Sequence, residues 1–189
     1  MGFIHELHPR MKTLIALSGS LRRDSANTTL LRAAIALAPT GVRIVLYEGT
    51  DRLPFFNPDI EADPPPAARE LRALLSAADG IIVASPEYAH GVPGAFKNML
   101  DWLVGCAELS GKPVALINTS ARAVHAQAAL AEILATMGWR VIDAASPVIA
   151  VANRGFDHAH MAADPALAGP LLAAIEALVQ ASVEPGVPS

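Results

Sequence analysis

Short runs of continuous apolar residues alternate along the chain with longer stretches whose apolar positions recur every three or four residues. The runs 13–18 (TLIALS), 43–47 (RIVLY), 80–85 (GIIVAS), 113–118 (PVALIN) and 140–150 predict strands. The periodic stretches predict helices over 28–38, 67–78, 95–104, 124–137 and 165–183. In the first helix Leu30, Leu31, Ala34, Ile35 and Ala38 share a face, and Pro39 with Gly41 ends it. Leu71, Leu74 and Leu75 do the same in the second, and Phe96, Met99, Leu100 and Leu103 in the third. A Pro-rich connection running from the second strand to residue 66 is the longest stretch without periodicity. Strands that are apolar at every position are buried on both faces, as parallel strands between two helical layers are. Five β-α units in one chain of this length predict an α/β three-layer sandwich. Its five-stranded parallel sheet would be doubly wound, with strand order 2-1-3-4-5.

Composition narrows the picture. A chain of 189 residues, 52% hydrophobic and 17% charged, suits one domain that holds a core without disulfides or metals. The expected domain covers 12–184, with 1–11 and 185–189 as tails. Met1 to Lys12 lacks a signal-peptide apolar core, and Glu6 stands where a myristoylation motif needs Ser or Thr. Fourteen Lys and Arg against eighteen Asp and Glu leave a net charge of -4, so no nucleic-acid partner is expected. No segment approaches the ~18 apolar residues of a membrane span. One cysteine, Cys106, cannot pair within the chain and fits a reducing cytoplasm. Cys106 has no adjacent base or cation in sequence, so it reads as structural. Asp157, His158 and His160 define no metal site on their own, and none is expected.

In an open parallel sheet of this order, ligands bind beyond the carboxyl ends of strands 1 and 3, where the winding reverses. The two loops richest in polar chemistry follow those strands. The first, Ser18–Thr28 (SGSLRRDSANT), leads into a helix N-terminus, where free N–H groups and the macrodipole favour an anion. Ser20, Ser25, Asn27 and Thr28 supply short polar groups, and Arg22 a bidentate guanidinium. An ordinary loop capped by Ser25 or Asn27 is the alternative. Walker A and Gly-x-Gly-x-x-Gly patterns are both absent. The second loop, from Ser85 to Trp102 (SPEYAHGVPGAFKNMLDW), carries two Pro and two Gly that restrain its backbone. Glu87 and Tyr88 stand at its strand end, either facing a ligand or solvated. His90 reads as a surface residue more than an acid or base, and Trp102 as helix packing or a subunit contact.

Those two loops together resemble the paired signatures of the NADPH-dependent FMN reductase family, in GSLRRDSANTTLLRA and SPEYAHGVPGAFKNMLDWL. Leu53–Glu61 (LPFFNPDIE) is similar to that family's connection after strand 2. The resemblance spans residue 12 to about 150 and assigns no role to the region after 150. It implies a flavodoxin-like fold, bound FMN, and NADPH or NADH as co-substrate. It implies that Ser20, Leu21, Arg22, Arg23, Asp24, Ser25, Ala26 and Asn27 hold the FMN phosphate. Pro86, Glu87, Tyr88 and Ala89 would line the flavin, and Ser120 would close the other side. His90, Gly91 and Arg122 would fall on the nicotinamide or substrate side. The chain departs from the family in two places. Ala89 stands where Asn is frequent, and the loop NTSARAVHAQ after strand 4 has no Gly.

The function expected is hydride transfer from NAD(P)H through FMN to a small acceptor: a flavin, quinone, azo compound or chromate. The cofactor carries that chemistry, so no catalytic side chain is required. A flavodoxin-type electron carrier and a flavin-binding protein without turnover are the alternatives. A homodimer or homotetramer is expected from the resemblance. Phe55 and Phe56 add to this, as large apolar groups in a Pro-rich connection that need cover.

Overall fold

The structure is a computed structural model, and it describes residues 10–152 and 154–183. The expected tail over 1–11 falls almost wholly outside the described residues, and the one over 185–189 entirely so. Five strands are present: β1 (Lys12–Ser18), β2 (Val42–Tyr47), β3 (Gly80–Ala84), β4 (Pro113–Ile117) and β5 (Arg140–Val141). The longer helices are α1 (Ala26–Ala36), α2 (Pro66–Ala77), α3 (Gly94–Asp101), α4 (Val124–Thr136), α5 (His158–Ala163) and α6 (Pro165–Ala181). All neighbouring strands pair in parallel, in the order β2-β1-β3-β4-β5. The expected doubly wound, flavodoxin-like sheet is therefore the observed one.

Successive side chains on each central strand point to opposite faces, so a strand apolar throughout feeds two cores. Ile15 and Leu17 of β1, Ile81 and Val83 of β3, and Val114 and Leu116 of β4 join Leu71, Phe96, Leu100 and Leu130 on one side. Leu14 and Ala16, Ile82 and Ala84, and Ala115 and Ile117 join Leu30, Leu31, Leu171 and Ile175 on the other. Helices α2, α3 and α4 thus cover one face, and α1, α5 and α6 the other.

The fifth strand is shorter than its apolar run suggests. After Arg140–Val141 the chain turns through Asp143–Ala145, and Val148 resumes only a single bridge with Asn118. Ser146 explains the interruption. Its hydroxyl accepts the Leu116 N–H of β4 at 2.9 Å and donates to the Ile142 carbonyl at 2.8 Å. A side chain thus satisfies the sheet edge where a backbone rung would stand, and the following Pro147 has no N–H to offer. Helix α5 is also absent from the sequence reading. The Asp157 carboxylate caps it by accepting the His160 N–H at 2.7 Å, and the His160 ring stacks on Phe156.

The connection after β2 is pinned to α3 and its C-terminal residue. The Pro54 carbonyl accepts from Trp102 Nε1 at 2.8 Å and from Asn98 Nδ2 at 3.0 Å. The Asn98 Oδ1 in turn accepts the Phe56 N–H at 2.8 Å. Trp102 is fully buried, and Phe56 meets its ring edge-on at 5.1 Å. The packing alternative for Trp102 is the observed one. Cys106 is buried as well, and burial pushes its thiol pKa up, away from a reactive thiolate.

Candidate functional site

The carboxyl ends of β1 and β3 approach so closely that Gly19 has no space for a side chain. A Cβ there would lie 2.5 Å from Ser85 Cβ and 2.9 Å from Ser85 Cα. The Gly19 N–H donates to the Ala84 carbonyl at 2.9 Å, which holds the two loop bases together. From this junction the first loop climbs to α1. Ser25 is the N-cap, with its side chain accepting from the Thr28 N–H. The amides of Ala26 and Asn27 have no acceptor among the described residues. Arg22 and Arg23 are exposed, and their guanidiniums likewise have no partner among the described residues. Asn27 is buried, and its Oδ1 accepts from the Thr119 hydroxyl at 2.9 Å. That bond ties the start of α1 to the end of β4. Asn27 therefore braces the loop from below. Above it the Ser20 hydroxyl accepts the Arg22 N–H at 3.2 Å and keeps its own proton to donate, beside the Arg22 and Arg23 guanidiniums.

The second loop makes a tight two-residue turn. Tyr88 and Gly91 exchange both backbone hydrogen bonds, at 3.0 and 2.9 Å, around Ala89 and His90. Those two residues have φ of 49° and 58°, the left-handed pair that a type I′ turn requires. Gly91 and Gly94 both have negative φ, so the left-handed positions of this loop fall on Ala89 and His90, which carry the strain. Replacing Ala89 by Gly is expected to raise the unfolding free energy by about 1 kcal/mol, because Cβ crowding in the left-handed region is removed. Urea denaturation measures it, and a destabilised Ala89→Gly would contradict the turn.

Two contacts fasten this loop to α4. Glu87 Oε2 accepts the Ala126 N–H at 2.8 Å, and the rings of His90 and His125 stack with centroids 4.4 Å apart. Ala123, at the N-cap of α4, has no side-chain oxygen to offer the helix. Glu87 supplies the missing acceptor from another loop, which gives this charged residue a reason to stand at a strand end.

Above the sheet these loops enclose a cavity of about 960 Å³. That is within the size range of cofactor sites. Of the sequence-selected residues, Ser20, Arg22, Arg23, Asp24, Ser25, Ala26 and Asn27 border it on one side. Pro86, Glu87 and Tyr88 border it on a second, and Ser120 and Arg122 on a third. Leu21 turns instead to a smaller cleft, and Ala89, His90 and Gly91 border neither space. The fourth wall, made by Val151, Ala152, Gly155, Phe156, Asp157 and His158, was given no role by sequence. One signal was available for it. Every loop after a strand of a parallel sheet emerges on the same edge, so the segment after β5 reaches the site as the others do.

Residues 11–154 match the family described as NADPH-dependent FMN reductase. The chain is 34% identical over 150 residues to an NAD(P)H-dependent FMN reductase of Pseudomonas aeruginosa, covering 76% of this chain and 80% of that protein. It is 38% identical over 109 residues to a 2-hydroxy-1,4-benzoquinone reductase of Burkholderia sp, covering 56% of this chain and 59% of that one. Among solved structures, a flavoenzyme NAD(P)H:(acceptor) oxidoreductase from Paracoccus denitrificans superposes with a TM-score of 0.75 at 30% identity. That superposition covers 91% of this chain and 97% of the other.

Proposed function

The chain belongs to the NADPH-dependent FMN reductase family, and from that premise we propose that it is an NAD(P)H-dependent FMN oxidoreductase acting on a small acceptor. The observation that carries this reading is the start of α1. Two amides without acceptors, the Ser20 hydroxyl and the unpartnered guanidiniums of Arg22 and Arg23 converge on one end of a cavity large enough for a flavin. A phosphate monoester is the anion this donor set fits.

FMN, when bound, supplies the hydride-accepting ring. The protein's part is to bind and orient. Ser20, Arg22, Arg23, Ser25, Ala26 and Asn27 form the phosphate end, with Asn27 holding the loop to β4. Main-chain groups of Pro86, Glu87 and Tyr88 border the ring, and Ser120 lies across from them. Tyr88 is 54% exposed and offers a flat rim beside the mouth. Overall, one NAD(P)H and one proton reduce one quinone to its hydroquinone. Quinones lead the acceptor classes because the Burkholderia relative is named for one; flavins, azo compounds and chromate are the others.

Arg22→Ala tests the reading. It is expected to weaken FMN binding about tenfold to a hundredfold, the loss of a charge-assisted contact worth roughly 1.5–3 kcal/mol. Riboflavin, which lacks the phosphate, should bind both forms alike. Unchanged FMN affinity in the variant would place the phosphate elsewhere.

A homodimer or homotetramer in the cytoplasm completes the proposal. Phe56 packs on the core, but Phe55 is 90% exposed and remains an apolar group in need of cover. Among the described residues no helix is long and apolar enough to cross a membrane. Sedimentation at micromolar concentration should show more than the 19.7 kDa monomer, and Phe55→Glu should shift the distribution toward it.

A further inference from the structure

Behind the first loop, on the flank away from the large cavity, lies a second cleft of about 210 Å³ at the carboxyl end of β2. It is too small for a flavin. Leu46, Tyr47 and Thr50 border it, and Leu21 stands 57% exposed over it. Arg22, Arg23 and Arg32 border both this cleft and the large cavity. The cleft therefore opens onto the same guanidiniums as the proposed flavin-phosphate end, from the other side.

Charge shows what is left over. The proposed flavin phosphate already takes the N-terminus of α1 with Arg22 and Arg23, which leaves Arg32 over. Three arginines border the small cleft, with Glu48 and Asp51 as the opposing carboxylates. Arg32 reaches Glu48 at 3.5 Å, and both side chains are largely exposed. An exposed pair of that length is worth little and exchanges partners readily. An incoming phosphate dianion can take Arg32 from Glu48 and gain a bidentate contact. The end of β2 beside the first β-α loop is also where a nucleotide ribose lies in related parallel folds. There an acidic group serves the free ribose, and an Arg its phosphorylated form.

We propose that this cleft receives the phosphorylated ribose of the dinucleotide hydride donor. Arg32 would grip the 2′-phosphate while Arg22 and Arg23 stay with the flavin phosphate, and the exchange of Arg32 away from Glu48 would make the protein favour NADPH over NADH. Glu48 repels a dianion when unpaired, so removing Arg32 costs the phosphorylated donor twice. This inference rests on the flavoenzyme reading above, which names the donor.

Calorimetric titration of the FMN-loaded protein with 2′,5′-ADP and with 5′-AMP tests it. The bisphosphate should bind at least about tenfold tighter than the monophosphate. Arg32→Ala should erase that difference, Arg32→Lys should keep part of it, and Glu48→Gln should retain or widen it. In steady state the NADPH-to-NADH ratio of kcat/KM should fall by a similar factor in Arg32→Ala. Equal affinity for the two nucleotides overturns the proposal. So does release of free FMN by 2′,5′-ADP, because the phosphate would then sit in the flavin's own place. The flavin spectrum of the same sample tests the flavoenzyme reading separately. A protein that holds FMN yet ignores the 2′-phosphate sinks only the subsite.

Discussion

Gly19→Ala is expected to lose FMN binding and to destabilise the protein by roughly 3 kcal/mol or more, at the upper end of overpacking costs. The new Cβ would fall 2.9 Å from Ser85 Cα, a backbone atom that no rotamer change can move away. Relief requires β1 and β3 to part at their carboxyl ends, and those ends carry both loops that face each other across the cavity. The Gly19 N–H bond to the Ala84 carbonyl would stretch with them. Stability by chemical denaturation and FMN affinity by fluorescence quenching should therefore fall together. Ser85→Gly in the Gly19→Ala background removes two of the three clashing atoms, Ser85 Oγ and Cβ, and should recover part of both losses. A Gly19→Ala protein with normal stability and normal flavin affinity would show that the strand ends are farther apart than described.

Trp102→Ala is expected to cost about 3–5 kcal/mol, the usual range for removing a fully buried large aromatic side chain. For a chain of this size that lowers Tm by roughly 6–20 °C. Volume is one part of the loss. The edge-on contact with Phe56 is another, and the Nε1 bond to Pro54 a third. Trp102→Phe separates them, since it keeps most of the volume and drops the hydrogen bond. The Asn98 amide still serves the Pro54 carbonyl in that variant, so its cost should be near 1–2 kcal/mol. Because Trp102 closes α3 and α3 follows the second loop, flavin affinity should weaken in the alanine variant and hold in the phenylalanine one. Equal losses in the two variants would assign the stabilisation to the hydrogen bond alone.

By itself the sequence determined the layers and pointed to the edge of the sheet where the candidate site lies. Continuous apolar runs such as Leu14–Leu17 are a short-range signal, and burial on both faces is their direct consequence, with Leu14 and Ala16 on one side and Ile15 and Leu17 on the other. Polar loops after the first and third runs, one of them opening a helix, placed the chemistry at the reversal of winding. Tertiary structure decided what those residues do there, because their partners are distant in the chain. Glu87 meets the amide of Ala126, 39 residues on, and Asn27 meets Thr119 across 92. Neither partner has any trace in local periodicity. The same holds for Ser146, whose hydroxyl ends an apolar run that otherwise reads as strand, and for the left-handed pair Ala89 and His90, where glycine was the residue to expect. The wall formed by Val151, Ala152 and residues 155–158 was missed for a related reason. Its residues carry no pattern of their own, and they reach the cavity only because a parallel sheet brings every strand's carboxyl end to one edge.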